Sequence, residues 1–147
     1  MADIVTLAAG GIVAGSIYLL IKNMNQRLND LDKYHNHIKY LKDDIRNRRY
    51  RASKLKKMLM KAHDESFEAW KDLKNTAQKI YKSLERVSNA IKSNRYRGKK
   101  LQNLRNTHNK LAKELRKATN MKRKAHSKWD RIRDDYLSAK RTLSSLY

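Results

Sequence analysis

Apolar residues recur every seven positions along most of the chain, beginning at Met24. A heptad repeat held over this length is typical of long helices that pack along a common seam, as in coiled coils. The sequence therefore predicts an all-α protein in which residues 23–147 form a coiled-coil-like helical rod. The register positions are Met24, Leu31, Ile38, Ile45, Ala52, Leu59, Ser66, Leu73, Ile80, Val87, Asn94, Leu101, His108, Leu115, Lys122, Trp129, Tyr136 and Leu143.

Two register positions are polar and lie beside signals of a helix end. Ser66 follows the run His63-Asp64-Glu65, and acids are favoured in the first turn of a helix. Asn94 lies in the run Ser93–Gly98, which contains the only Gly beyond residue 15, and Gly98 suits the C′ position after a helix. These runs predict breaks at 62–66 and 93–100, with the break near Gly98 favoured.

Such breaks give a hairpin or a three-helix arrangement, with helices near 22–62, 66–93 and 99–146. A second apolar row accompanies the register and moves from three residues after it to four between Ala77 and Ile91, which is expected at a break or a local change of supercoil. The alternative is one uninterrupted helix in a parallel oligomer, with Asn94 setting the register of the chains. The periodicity alone fits both arrangements.

The first 22 residues have a different composition, because Ile4 to Ile21 carry no charge between Asp3 and Lys22. At helical rise this segment covers about 27 Å, close to the thickness of a bilayer hydrocarbon core. It predicts an anchor helix over residues 1–22 that crosses a membrane once. The alternatives are a helix buried in an assembly and a cleavable signal peptide, although a signal peptide favours bases near its start.

Bases follow this segment and none precedes it, which by the positive-inside rule places the helical rod on the cytoplasmic or interior side. The membrane would be cellular or the internal membrane of a virion. Gly11 and Gly15 form a G-x-x-x-G pair, which favours close packing of two helices in lipid. This pair predicts that the anchor helix can self-associate.

The net charge of +22 predicts attraction to a polyanion. Residues 45–62 carry eight bases and no acid, and residues 86–128 carry fifteen bases and one acid, Glu114. Residues 22–44 are nearly neutral, which favours a polyanion held away from the bilayer over the bilayer surface itself. The candidate polyanion-binding residues are Arg46, Arg48, Arg49, Arg51, Lys54, Lys56, Lys57, Lys61, Arg95, Arg97, Lys99, Lys100, Arg116, Lys117, Lys122, Arg123 and Lys124.

The sequence contains no motif that supports catalysis, a cofactor or a metal. It has no Cys, no glycine-rich phosphate loop and no nucleophile elbow, and His35 and His37 are two residues apart, so they point to different faces of a helix. It also has no sequence-reading DNA-binding signature, so binding to nucleic acid is expected to be non-specific. We therefore expect a protein that is not an enzyme.

These features together predict a membrane-anchored structural or scaffold protein, such as a minor virion component between capsid and membrane. Its basic helices would bind nucleic acid or an acidic protein lattice, and it would form a homo-oligomer or join a larger assembly. One alternative is an oligomeric coiled-coil conduit for nucleic-acid translocation, broadly similar in layout to the DNA pilot proteins of tailless phages, although no residue motif is shared. The other is a membrane tether with a protein partner only.

Overall fold

The computed structural model describes residues 17–147, and this part of the chain folds into three α-helices. Helix α1 is Ile17–Arg46, α2 is Ala52–Lys92 and α3 is Gly98–Leu146. No strand occurs between residues 17 and 147. The prediction of an all-α protein with three helices is confirmed. The alternative of one uninterrupted helix is wrong, because short turns separate the helices.

The helices pack into two compact units, and each unit contains part of every helix. The first unit is Lys74–Lys122 together with the chain up to Asn25, and the second unit is Gln26–Leu73 with Arg123–Tyr147. Short connections between helices favour antiparallel neighbours. Within each unit α2 accordingly runs antiparallel to the other two helices.

The heptad register forms the core of α1 and α2. Met24, Leu31, Ile38 and Ile45 of α1 are fully enclosed, as are Leu73, Ile80 and Val87 of α2. In α3 a different row, three residues after the register, lies inside: Leu104, Leu111, Ala118, Ala125, Ile132 and Ala139. The register positions of α3 are less uniformly buried: Trp129 and Leu143 lie inside, whereas the polar His108 is half-buried and Lys122 is exposed.

The predicted break at 62–66 is wrong, because α2 passes through it without interruption. Ser66 is completely buried, and its hydroxyl donates a hydrogen bond to the backbone oxygen of Ala62 at 2.7 Å. A serine that bonds to its own helix in this way fills a core position without leaving a polar group unsatisfied. Along this part of α2 both candidate rows face the core: Thr76 and Ser83, three residues after the register, are buried, and so is Ala77, four residues after it.

Helix α1 ends instead at a turn formed by residues 47–51, where the sequence predicts no break. The N–H of Arg48 donates to the oxygen of Ile45, and the N–H of Arg49 donates to that of Asp44, both at 3.1 Å. With Arg48 at a left-handed φ of +50°, these bonds form a Schellman motif. Glycine usually occupies this position, so an arginine there gives no sequence signal.

The second turn, residues 93–97, lies at the break predicted near Gly98. Helix α2 ends at Lys92, and Asn94 takes the left-handed conformation with φ +59°. Gly98, with φ +62°, begins α3 and is not the C′ residue of α2. Asn is the residue other than glycine that most readily adopts this conformation. The predicted break at 93–100 is therefore confirmed, but the residue at the C′ position after α2 is Asn94 and not Gly98.

The predicted membrane span lies mostly outside the described residues, and so do Gly11 and Gly15. Its last five residues, 17–21, form the start of α1, where Ile17 is buried and Tyr18 and Leu19 are exposed. Between residues 17 and 147, no helix combines the length and the apolar character needed to cross a bilayer.

Candidate polyanion interface

The α1–α2 turn concentrates exposed bases at one end of the second unit. These bases project from the last residue of α1, the turn itself and the first two turns of α2, and no acid occurs between residues 45 and 62. Helix α3 adds Lys140, which lines a cleft of about 400 Å³ together with Lys56 and Tyr147. We call the following residues the turn cluster: Arg46, Arg48, Arg49, Arg51, Lys54, Lys56, Lys57 and Lys140.

Two aromatic residues hold the turn in place. The hydroxyl of Tyr147 donates to the backbone oxygen of Tyr50 at 2.9 Å, which ties the end of α3 to the α1–α2 turn. The ammonium of Lys54 lies 4.5 Å from the centroid of the Tyr50 ring, within the range of a cation–π contact. The backbone that carries the turn cluster is thus fixed by contacts with the rest of the unit.

Few acids neutralise the turn cluster. Asp44 approaches Arg49 at 3.7 Å across exposed surface, where an ion pair contributes little. Residues 136–147, the last turns of α3 and the terminal Tyr147, reach this end of the unit and contain Lys140 and Arg141 and no acid. The cluster therefore carries a large local excess of positive charge.

Asp135 of α3 shows how the acids of the second unit are used, because it bonds to two residues of α1. One carboxylate oxygen lies 2.5 Å from Nε2 of His35, and the other lies 3.6 Å from Nζ of Lys42. Burial alone would raise the pKa of Asp135, but the bond from His35 and the charge of Lys42 outweigh it and lower the pKa below its ordinary value. This carboxylate therefore holds α3 against α1.

Other acids of this unit join helices in the same way. Arg27 of α1 bonds to Asp72 of α2 and, at 3.2 Å, to Asp30 of its own helix. Burial would lower the pKa of Arg27, but these two carboxylates raise it. Lys128 of α3 lies 2.5 Å from Asp32 of α1. Because these acids pair with interhelical partners, they cannot offset the charge of the turn cluster.

The remaining predicted residues do not join the turn cluster. Lys61 lies further along α2 and pairs with Glu65 at 3.9 Å. Arg123 and Lys124 precede Lys140 by sixteen residues or more on α3, a helical distance of about 24 Å. The bases predicted in the first unit form a group at the α2–α3 turn (Arg95, Arg97, Lys99, Lys100) and another along α3 (Arg116, Lys117, Lys122), all exposed.

The structure also adds bases that local charge counting missed. Lys140 was passed over because residues 129–147 carry nearly balanced charge, yet the fold places it beside Lys56. Lys110 and Lys113 lie on α3 within the second basic block but were not singled out, and they line a cleft next to the start of α1. Only the packing of α3 reveals these neighbours.

Between residues 17 and 147, no group of three or more His, Asp or Glu side chains could hold a metal ion. His35 is engaged with Asp135, and His63 stacks on Tyr136 with 4.2 Å between ring centroids. Trp129 packs against His63 in the same aromatic group, which fills the contact between α2 and α3. These histidines take part in interhelical packing.

The chain was also compared with known proteins. A scan against protein-family models finds no matching family, and searches of curated proteins and of solved structures find no match either.

Proposed function

We propose that this is a non-enzymatic scaffold protein that binds nucleic acid without sequence selectivity through the turn cluster. The observation that carries the proposal is the turn cluster itself. It holds eight exposed bases on a fixed backbone, and only one of them, Arg49, forms an ion pair in the described part of the chain, a weak one with Asp44. Lys and Arg on a helical surface contact phosphates and carry no sequence information. An acidic protein surface is the second polyanion that this charge could accept.

We further propose that the uncharged N-terminal segment attaches the protein to a membrane. Because Ile17 is buried in the first unit, the segment free to enter lipid is residues 4–16. As a helix, these residues would cover about 20 Å, less than the roughly 30 Å of a hydrocarbon core. The segment would then insert to part of the bilayer depth unless the start of α1 leaves the first unit. A minor virion component between membrane and genome fits these two activities.

The nucleic-acid proposal is tested by salt-dependent binding. A fluorescent DNA duplex of random sequence is titrated with the full chain in mild detergent, and anisotropy is measured between about 50 and 300 mM salt. In the test variant, Arg48, Arg51, Lys56 and Lys57 are replaced by Gln. If each of the four contacts one phosphate, the slope of log affinity against log salt becomes shallower by about 3.6.

The matched control replaces Lys33, Lys39, Lys79 and Lys82 by Gln, which removes the same charge from exposed helical positions outside the turn cluster. This control should keep most of the salt dependence, because long-range charge contributes less than contact with phosphate. Equal losses in the two variants would show that net charge and not the turn cluster is responsible. If the unmodified chain does not bind DNA at the lowest salt, nucleic acid is not the polyanion.

A further inference from the structure

A cleft in the first unit combines an apolar floor with a basic rim. It has a volume of about 450 Å³ and lies between the start of α1 and the middle of α3. Ile17, Tyr18 and Ile21 line it from α1, while Lys110, Lys113, Lys117 and Glu114 line it from α3. Ile17 is only 4% exposed, whereas Tyr18 is 69% exposed, so the cleft is apolar at its base and open at its edge.

The lysines of the cleft share one face of α3, because they are spaced by three and four residues. Lys117 pairs with Glu114 at 3.4 Å. Lys110 and Lys113 make no ion pair with any residue between 17 and 147 and are exposed. Two ammonium groups are therefore available to an anionic ligand at the rim.

The cleft lies where the uncharged N-terminal segment meets the folded helices. Ile17 belongs to a buried cluster with Val87, Ala90, Leu104 and Leu111, and Tyr96 of the α2–α3 turn packs against the same cluster. The cleft itself lies beside the middle of α3, about 18 Å along this helix from its first residue, Gly98. If residues 4–16 enter a bilayer, the cleft lies close to the lipid headgroups, because Ile17 directly follows that segment and lines the cleft.

We propose that this cleft binds the headgroup of an anionic phospholipid. Lys110 and Lys113 would contact the phosphate, while Ile21 and the ring of Tyr18 pack against the upper part of an acyl chain. Tyrosine is enriched at this depth of membranes, and bases there are attracted to anionic lipid. The proposal rests on the membrane attachment proposed above and names the lipid that it selects.

The apolar floor favours a lipid over a nucleic-acid phosphate. Ile17 and Ile21 offer nothing to a ribose or a phosphate, but they match a hydrocarbon chain, and the apolar segment is covalently continuous with them. The sequence pointed away from the membrane surface because residues 22–44 are nearly neutral. The fold changes this, since it brings bases of α3 to Ile17 from more than ninety residues further along the chain.

Lysine footprinting on the full chain tests the proposal directly. The protein is mixed with vesicles of neutral phosphatidylcholine or with vesicles containing about 30% phosphatidylglycerol, and acylation rates of individual lysines are read by mass spectrometry. We expect Lys110 and Lys113 to react at least threefold more slowly with the anionic vesicles, while Lys33 and Lys39 change little. Equal rates at Lys110 and Lys113 in the two lipids would overturn the proposal.

A pair of variants adds a measurement of affinity. Lys110→Gln with Lys113→Gln should weaken partition into the anionic vesicles at least tenfold, because each base at such a surface contributes about fivefold. Lys79→Gln with Lys82→Gln removes the same charge from the exposed surface of α2 in the same unit and should have a much smaller effect. Equal losses in the two pairs would overturn the cleft as the site.

The outcomes separate this proposal from the one on which it rests. Flotation with neutral vesicles but no selective protection leaves membrane attachment standing and removes the lipid site. Failure to float with either vesicle overturns both. If DNA in detergent protects Lys110 and Lys113 as strongly as anionic lipid does, the cleft is a nucleic-acid site and the lipid proposal is wrong.

Discussion

Replacing Arg48 by glycine should stabilise the protein, because Arg48 occupies the left-handed position of the α1–α2 turn. Its φ is +50°, and the Schellman hydrogen bonds of Arg48 and Arg49 hold it there. A side chain beyond glycine costs about 1 kcal/mol or slightly more in this conformation. Glycine loses more backbone entropy on folding, which takes back part of the gain.

We therefore expect Arg48→Gly to raise the free energy of unfolding by about 0.5 kcal/mol. For a chain of this size, that corresponds to a rise in Tm of about 2 °C. Thermal and guanidinium unfolding followed by circular dichroism at 222 nm would measure both quantities. By contrast, Lys39→Gly, at an exposed position in the interior of α1, should destabilise by about 1 kcal/mol.

Charge must be separated from backbone strain, since Arg48 also belongs to the turn cluster. Arg48→Gln removes the charge but keeps the strained side chain, so its effect measures relief of repulsion alone. Asn94→Gly relieves a position with φ +59° where asparagine already tolerates the conformation, and it should gain only a few tenths of a kcal/mol. If Arg48→Gly is no more stable than Arg48→Gln, the turn does not strain the arginine.

Substitutions at two further positions, Asp135 and Ser66, test the packing of the second unit. Asp135→Asn should lower the free energy of unfolding by about 1–2 kcal/mol at pH 7, because it weakens the bonds to His35 and Lys42. The folded pKa of Asp135 is lowered, so its contribution to stability is fully present above the ordinary aspartate pKa of about 3.9. This contribution is lost as the pH falls through the folded pKa. The free energies of unfolding of the Asp135→Asn variant and the unmodified protein should therefore converge in acid. Ser66→Leu restores the apolar heptad but should lower the free energy of unfolding by about 1–3 kcal/mol, because Ser66 is fully enclosed. The control Ser66→Ala should change it by less than about 0.5 kcal/mol. A leucine variant more stable than the unmodified protein would show that the core has room for the larger side chain.

The helical character and the buried stripe of α1 and α2 could be predicted from spacing alone, because residues such as Leu31, Ile38 and Ile80 recur in one register, but the ends of these two helices could not. The break at 62–66 was predicted wrongly because of Ser66. Its hydroxyl is buried and bonds to the backbone of its own helix, and polarity alone does not distinguish such a residue from one at a helix end. The α1–α2 turn was invisible for the opposite reason. This turn contains neither Gly nor Pro, the residues that usually mark a turn in a sequence. Its left-handed position is occupied by Arg48, which does not indicate a turn.

The candidate site was predictable as a local run of bases but not as a surface. The bases from Arg46 to Lys57 are predictable because they are contiguous, whereas Lys140 is not, because the charge of residues 129–147 is nearly balanced. The cleft at Ile17 could not be foreseen for the same reason, as its lysines come from α3. Residues distant along the chain become neighbours through packing, and a charge count along the sequence contains no information about which helices meet.

The distribution of acids explains why the excess charge persists after folding. In the second unit, Asp72, Asp32 and Asp135 each bond across to another helix, whereas Asp30, Glu65 and Asp130 pair with bases of their own helices, so these acids are all engaged outside the turn cluster. The turn cluster is approached by one half-buried acid, Asp44, and makes no comparable contact across the core. Folding does not require bases at these positions, because neutral side chains of similar size could cover the same surface. The mutual repulsion among the bases instead opposes folding. A bound polyanion would remove that repulsion, so the fold gains stability from the partner that the cluster is proposed to bind.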